Sequence, residues 1–231
     1  MAQAVKMLAI ETASEACSVA LYLEGGLITR WQHAPRAHAD LVLQFVDEVL
    51  SEGRVTLREL DGIAFSAGPG AFTGVRIATA CAQGLALGAN LPVVSVSTLA
   101  AVAHGTFRQH GARQVAVALD ARMGEVYWGC YDVSYDDLVV VVPDEVAAPE
   151  RVTWPGVSRD ASALWAVAGN GWQIHESVLR AAAAGRVDAV YPLLWPHAED
   201  VVVLGVRALQ RGAAVAPELA QPVYLRDKVT S

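Results

Sequence analysis

"LAIETASEACSVALYLEGG", residues 8–26, and "VAVALDARMGEVYWGCYDV", residues 115–133, decide the fold when set side by side. Each is an apolar run closed by an acid, then a tight turn, then a second apolar run. Ile10-Glu11 of the first aligns with Leu119-Asp120 of the second. Short runs of apolar and β-branched residues broken by turn residues predict strands, so each stretch predicts a strand pair. The match lies in pattern more than in identity, and it points to an internal duplication.

The segments downstream of each copy extend the pattern. After the first, "LITRWQHA" (27–34) predicts a third strand, joined through Glu24-Gly25-Gly26. "PRAHADLVLQFVDEVLSEG" (35–53) predicts a helix, with Pro35 in its first turn, Leu41, Val42, Phe45, Val46 and Val49 on one face, and Gly53 at its end. "DGIAFSAG" predicts a strand, "FTGVRIATACAQGLALGA" a helix, "LPVVSVS" a strand and "TLAAVAHGTF" a helix. The order is β-β-β-α-β-α-β-α. After the second copy come the strand "VVVVPDEVA", the loop-like "APERVTWPGVSRDAS", the strand "LWAVAGNG", and helices near 172–184 and 198–211. Two lobes on one strand-hairpin-helix plan describe an α/β protein with the duplicated ribonuclease-H-like fold of actin and hexokinase, the ASKHA fold. In that fold the acid closing the first strand of each lobe points into a cleft. The expected lobes are 1–103 and 104–231, divided where "AHGTFRQHGARQ" turns polar, with the tail "PVYLRDKVTS" packing back on the first lobe or trailing off.

Bulk properties narrow the function. The 231 residues are 54% hydrophobic and 18% charged, enough for one large domain or two lobes with a sizeable core. The formal net charge of −7 is the wrong sign for a free-standing nucleic-acid binder, which needs lysines and arginines against phosphates. Cys17, Cys81 and Cys130 form no C-x-x-C pair, which argues against a disulfide framework and a zinc site. No run reaches the roughly 18 apolar residues of a membrane helix, and the start shows no signal-peptide pattern. A cytoplasmic setting is expected.

Glu11-Thr12 could hold a metal ion at a strand end. Its plain alternative is a turn cap, which the spacing favours; Asp120 has the same two readings, with Arg122 near enough to neutralise it. Gly68-Pro69-Gly70 looks like a phosphate loop between strand and helix. It lacks the Lys-Ser/Thr of a P-loop and is not G-x-G-x-x-G. Pro69 removes one of the N–H groups that phosphate binding at a helix start requires, and Thr73 as N-cap would occupy another. A rigid turn is therefore preferred. The six histidines show no metal-ligand spacing, and most are read as surface or capping residues. Cys81 reads as core, and the tryptophans and tyrosines show no platform for stacked bases.

The helix from Gly74 to Leu87 has three stripes at 3.6 residues per turn. Ile77, Cys81 and Leu85 are bulky, Arg76, Thr79 and Gln83 polar, and Gly74, Ala78, Ala82 and Ala86 form a smooth ridge. The bulky stripe is expected on the helix's own sheet. The ridge, with Thr73 and Arg76 beside it, is expected to receive a second helix, internal or from a partner.

"LAIETASEACSVALY", "AGPGAFTGVRIATACAQGLA", "VSVSTLAAVA", "LDARMGEVYWGCYD", "AGNG" and "PVYLR" together resemble the TsaB family, also called YeaZ. The resemblance runs from Leu8 to Arg226, with "GPGAFTGVRIA" its most specific stretch and 143–163 the weakest. Ala71 and Glu11 stand where relatives often carry Ser and Asp. The resemblance implies the two-lobed fold and a non-catalytic partner of TsaD, the enzyme that transfers threonylcarbamoyl to adenosine 37 of tRNAs reading ANN codons. TsaD-like enzymes carry two metal-binding histidines just after the strand matching "VVSVS"; here those positions are Thr98 and Val102. The resemblance further implies TsaD and TsaE as partners, a homodimer when alone through the ridge, tRNA contact only through the complex, and a vestigial phosphate loop made by Glu11, Thr12, Gly68, Pro69, Gly70 and Asp120. It implies no required cofactor or metal and allows weak ATP or ADP binding at a partner interface. The competing classes are an active enzyme of the same fold (ATPase, sugar kinase or metallopeptidase) and a stand-alone ligand-binding module.

Overall fold

The computed structural model describes residues 5–24, 26–155 and 164–226. Residues 156–163 of the loop-like stretch and the tail from 227 lie outside the described residues. The order begins β1 (Lys6–Glu11), β2 (Ala16–Leu23), β3 (Gly26–His33), α1 (His38–Gly53), β4 (Gly62–Gly68), α2 (Phe72–Ala89), β5 (Val93–Ser97) and α3 (Thr98–His110). It continues β6 (Gln114–Asp120), β7 (Val126–Val133), β8 (Leu138–Ala147), β9 (Trp165–Ala168), α4 (Asn170–Ala183), β10 (Val187–Tyr191) and α5 (Ala198–Gln210).

The expected duplication is visible in the sheets. One runs β3-β2-β1-β4-β5 and the other β8-β7-β6-β9-β10, the same path through space. In each, the first three strands form an antiparallel meander, and the fourth and fifth run parallel to the first. Glu11 and Asp120 close the equivalent strands β1 and β6. The fold is the two-sheet, ASKHA-like α/β arrangement.

The chain divides into two compact units, 1–101 with 196–223, and 102–195 with 224–231. This differs from a single cut after residue 103: α5 belongs to the first unit. The reason is packing. Gly205 of α5 lies so close to the first sheet that a Cβ there would meet Ala64 Cβ at 2.5 Å and Met7 Sδ at 2.9 Å. A main-chain bridge between Val93 and Val215 ties the segment after α5 to β5.

In the first unit, Leu8, Ile10, Cys17, Val19 and Leu21 face Val42, Phe45, Val46 and Val49 of α1 and Ala78, Ala82 and Ala86 of α2. Full burial of each larger apolar side chain contributes roughly 1.5–3 kcal/mol. α1 begins at His38, so Pro35 lies in the turn before it, and Arg54 rather than Gly53 takes the left-handed closing position at φ 52°. In the second unit, Trp128 packs against Trp154 and Trp172, with ring centroids 5.0 and 6.3 Å apart. The aromatics that look scattered in sequence thus make a core.

β10 is not apparent in the sequence. It is five residues long, and its partner β9 is parallel, so no hairpin turn announces it. Among the described residues, no helix is long and apolar enough to cross a membrane.

Candidate functional site

In open α/β sheets, ligand sites form beyond the carboxyl ends of the parallel strands. In the first unit that region holds Glu11, the Thr12–Ala13 turn, the Gly68–Gly70 loop and the start of α2. The loop and the turn are engaged with each other. Ala71 N–H donates to Ala13 C=O at 2.8 Å, and Thr12 Oγ1 donates to Gly74 C=O at 2.7 Å. A Cβ at Gly70 would stand 2.4 Å from Ala13 O. On its other side the loop meets the chain's own later segment. Val223 N–H donates to Ala67 C=O at 2.7 Å, and a Cβ at Gly68 would lie 2.8 Å from Val223 O. Gly68 has φ 111° and precedes a cis peptide to Pro69. The glycines therefore admit neighbouring backbone. The N–H groups of 67–71 available to a phosphate are reduced by Pro69, which has none, and by Ala71, already bonded.

The N-cap of α2 is Ala71, with no side-chain cap bond. Thr73 lies inside the first turn, so its expected capping role does not hold.

The ridge faces inward. Ala78, Ala82 and Ala86 are all 0% exposed, and Gly74 is buried with them. A Cβ at Gly74 would stand 1.9 Å from Thr12 O. The interface expected on Gly74, Ala78, Ala82 and Ala86 is thus corrected: these small residues let α2 settle on its own sheet and turn. The bulky stripe of Ile77, Cys81 and Leu85 is half-buried at the side of the same core. The outward face carries Phe72, Thr73, Arg76, Ala80, Gly84, Leu87 and Gly88. Arg76 stacks over Phe72 at 3.7 Å. The C-terminal half of α2 borders a groove of about 490 Å³ lined by Thr56, Leu57, Arg58, Gly84, Leu85, Gly88 and Ala89.

Glu11 is completely buried. Ser66 Oγ hydrogen-bonds its Oε2, and Ala13 N–H donates to its Oε1 at 2.5 Å. Burial pushes its acid up to about 8, against the opposing pull of the Ala13 bond. Below that pH the carboxyl is neutral, which suits neither a cation ligand nor a solvated base. Thr98 opens α3, fully buried, and its hydroxyl has no hydrogen-bond partner among the described residues. Val102, one turn on, is likewise fully buried.

The second unit repeats the device. A Cβ at Gly169 or Gly171, at the start of α4, would meet Ala118 O at 2.4 or 2.8 Å. Asn170 Oδ1 accepts from Asp120 N–H at 3.0 Å. Arg122 pairs with Asp120 at 3.2 Å, as the sequence suggested. Arg226 pairs with Glu125 and donates to Ala121 C=O, clamping the β6–β7 turn.

His38 and His104 depart from the surface or capping role expected of most histidines. His38 and His104 are buried, His110 stacks on Tyr191 at 3.9 Å, and His197 caps α5. Among the described residues no group of three or more His, Cys, Asp or Glu is placed to hold a metal ion.

A family model described as TsaD, tRNA N6-adenosine threonylcarbamoyltransferase, matches residues 11–231. The chain is 38% identical over 225 residues to the tRNA threonylcarbamoyladenosine biosynthesis protein TsaB of Escherichia coli, covering 97% of this chain and 96% of that one. It is 35% identical to the protein of the same name from Haemophilus influenzae, covering 99% and 96%. The solved structure of YeaZ from Pseudomonas aeruginosa is 44% identical and superposes with a TM-score of 0.89, covering 96% of this chain and all of that one.

Proposed function

We propose that this chain, which belongs to the TsaB (YeaZ) family, takes part in tRNA threonylcarbamoyladenosine biosynthesis as a non-catalytic subunit that binds and activates a TsaD-type enzyme, together with TsaE. The observation that carries the non-catalytic reading is the start of α3. Thr98 and Val102, both buried, occupy the positions where TsaD-like enzymes place metal-binding histidines. Neither a hydroxyl nor an isopropyl group replaces an imidazole as a ligand. The neutral, enclosed Glu11 supports the same reading.

The partner surface on this reading is the outward face of α2. Phe72 is 50% and Leu87 61% exposed, and both Gly84 and Gly88 open onto free space. Small residues four apart beside exposed apolar ones admit the close approach of another helix. A homodimer of the isolated chain would use the same face, and tRNA would be met through the enzyme, given the net charge of −7.

Sedimentation of the chain with a TsaD-type enzyme tests this. The wild-type chain forms the complex, and Gly84→Arg stays folded while losing it. Failure of the wild-type chain to associate refutes the subunit role. Normal association by folded Gly84→Arg refutes the surface.

A further inference from the structure

Of the methionines among the described residues, Met7 is completely buried and Met123 is 71% exposed. Met123 stands at the tip of the β6–β7 hairpin, where Arg122, Met123 and Gly124 follow one another at φ 63°, 56° and 77°. Its sulfur is already engaged: Arg226 Nη1 donates to Met123 Sδ at 3.5 Å. Through Nη2 the same guanidinium donates to Ala121 C=O at 3.2 Å and pairs with Glu125. Arg226 and the hairpin lie in the same compact unit. A thioether sulfur is a weak acceptor, so Nη1 makes the weakest of the three contacts.

We propose that Met123 is a reversible oxidation site whose state is read by Arg226. The oxidant is hydrogen peroxide. A sulfur lone pair attacks one peroxide oxygen, the O–O bond breaks, and the other oxygen leaves as water with both peroxide protons. Sulfur is oxidised by two electrons to the sulfoxide, and the peroxide is reduced. The sulfoxide is uncharged, and its oxygen is a far stronger acceptor than the thioether. Methionine is unbranched and Met123 is exposed, so the side chain is free to turn that oxygen towards Nη1. The contact becomes a charge-assisted hydrogen bond. Nη2 keeps Ala121 and Glu125, and the hold of Arg226 on the hairpin tightens.

The other oxidisable groups are shielded. Cys17 and Cys130 are buried and Cys81 is half-buried. Burial pushes all three thiols up, Cys17 to about 12, so little of the reactive thiolate is present. The hairpin also carries its own reporters. Ala121 N–H donates to Glu125 C=O at 3.0 Å and Glu125 N–H to Arg122 C=O at 3.1 Å, so amide exchange there follows the opening that Arg226 restrains.

The site stands apart from the partner reading, and its test uses the chain alone. The purified chain is treated with hydrogen peroxide and mapped by mass spectrometry. Met123 gains one oxygen before Met7 and before any of the three cysteines. Hydrogen exchange across 121–126 then slows by roughly three-fold, and methionine sulfoxide reductases of both epimer specificities restore the original rate. Peroxide leaves exchange across 121–126 unchanged in Met123→Leu and in Arg226→Ala, each compared with its own untreated sample. Earlier oxidation of Met7 or of a cysteine overturns the site. A Met123 sulfoxide that leaves exchange unchanged or faster, or a slowing that persists in Met123→Leu or Arg226→Ala, overturns the reading by Arg226.

Discussion

Substituting Gly74 tests whether the small ridge of α2 is an inward packing surface. Gly74→Ala places a methyl 1.9 Å from Thr12 O, 3.0 Å from Thr12 C and 3.4 Å from Ala13 Cα. All three are backbone, so no side chain can swing aside. The helix must lift from the turn by more than about 1 Å to restore van der Waals contact. Overpacking of this kind costs typically 1–3 kcal/mol, and the absence of a yielding neighbour places it at the upper end, about 3. Lifting also breaks the bond from Thr12 Oγ1 to Gly74 C=O, worth about 1 kcal/mol. Alanine in place of glycine returns about 1 kcal/mol of helix propensity. The net is a loss of about 3 kcal/mol, or a melting shift of about −10 °C. Gly84→Ala, on the same helix, meets nothing within 4 Å. There only the propensity gain remains, and the melting temperature rises by about 3 °C. Calorimetry of both variants checks the contrast. A Gly74→Ala protein that melts within about 1 °C of wild type refutes the inward packing, as does a Gly84→Ala protein destabilised to the same degree.

Ala82→Arg buries an unpaired charge at a position with no exposure, so loss of several kcal/mol and aggregation are expected; soluble, cooperative folding by circular dichroism would restore the ridge as an outer surface. The acid of Glu11 is raised in the folded chain to about 8, so its stabilisation is complete below its unfolded value near 4.5 and is lost as pH rises towards 8. At about 1.4 kcal/mol per pH unit the loss reaches at most about 5 kcal/mol; denaturant melts across this window show the slope in wild type, and Glu11→Gln flattens it. Arg226→Ala removes the Glu125 pair and the Ala121 bond, with an expected cost of about 1–2 kcal/mol to the second unit, read from its unfolding midpoint.

The duplicated plan is legible in the sequence because it rests on local pattern. Apolar and β-branched runs in 8–26 and 115–133 mark strands, and the acid at each strand end falls at the same place in both sheets. The inward face of α2 is not legible. Its ridge and its bulky stripe are both apolar, and the choice between them is made by Thr12, 62 residues earlier in the chain. A glycine that contacts backbone looks in sequence like a glycine that contacts a partner. The membership of α5 escapes for the same reason: its apolar stripe is evident, but which sheet it covers depends on Gly205 meeting Ala64 and Met7. Glu11 reads as a carboxylate at a strand end, and only its complete enclosure makes it a neutral acid.

The role of this chain turns on whether it performs threonylcarbamoyl transfer or enables another protein to do so. The decisive assay is modification of tRNA in a purified reaction supplied with threonylcarbamoyl-adenylate and divalent metal, with the chain alone, a TsaD-type enzyme and TsaE, and all three together. A non-catalytic subunit gives no modification by itself and transfer that rises sharply when it joins the other two, unchanged by Asp120→Asn. Metal-dependent transfer by the chain alone, abolished by Asp120→Asn, would contradict that role.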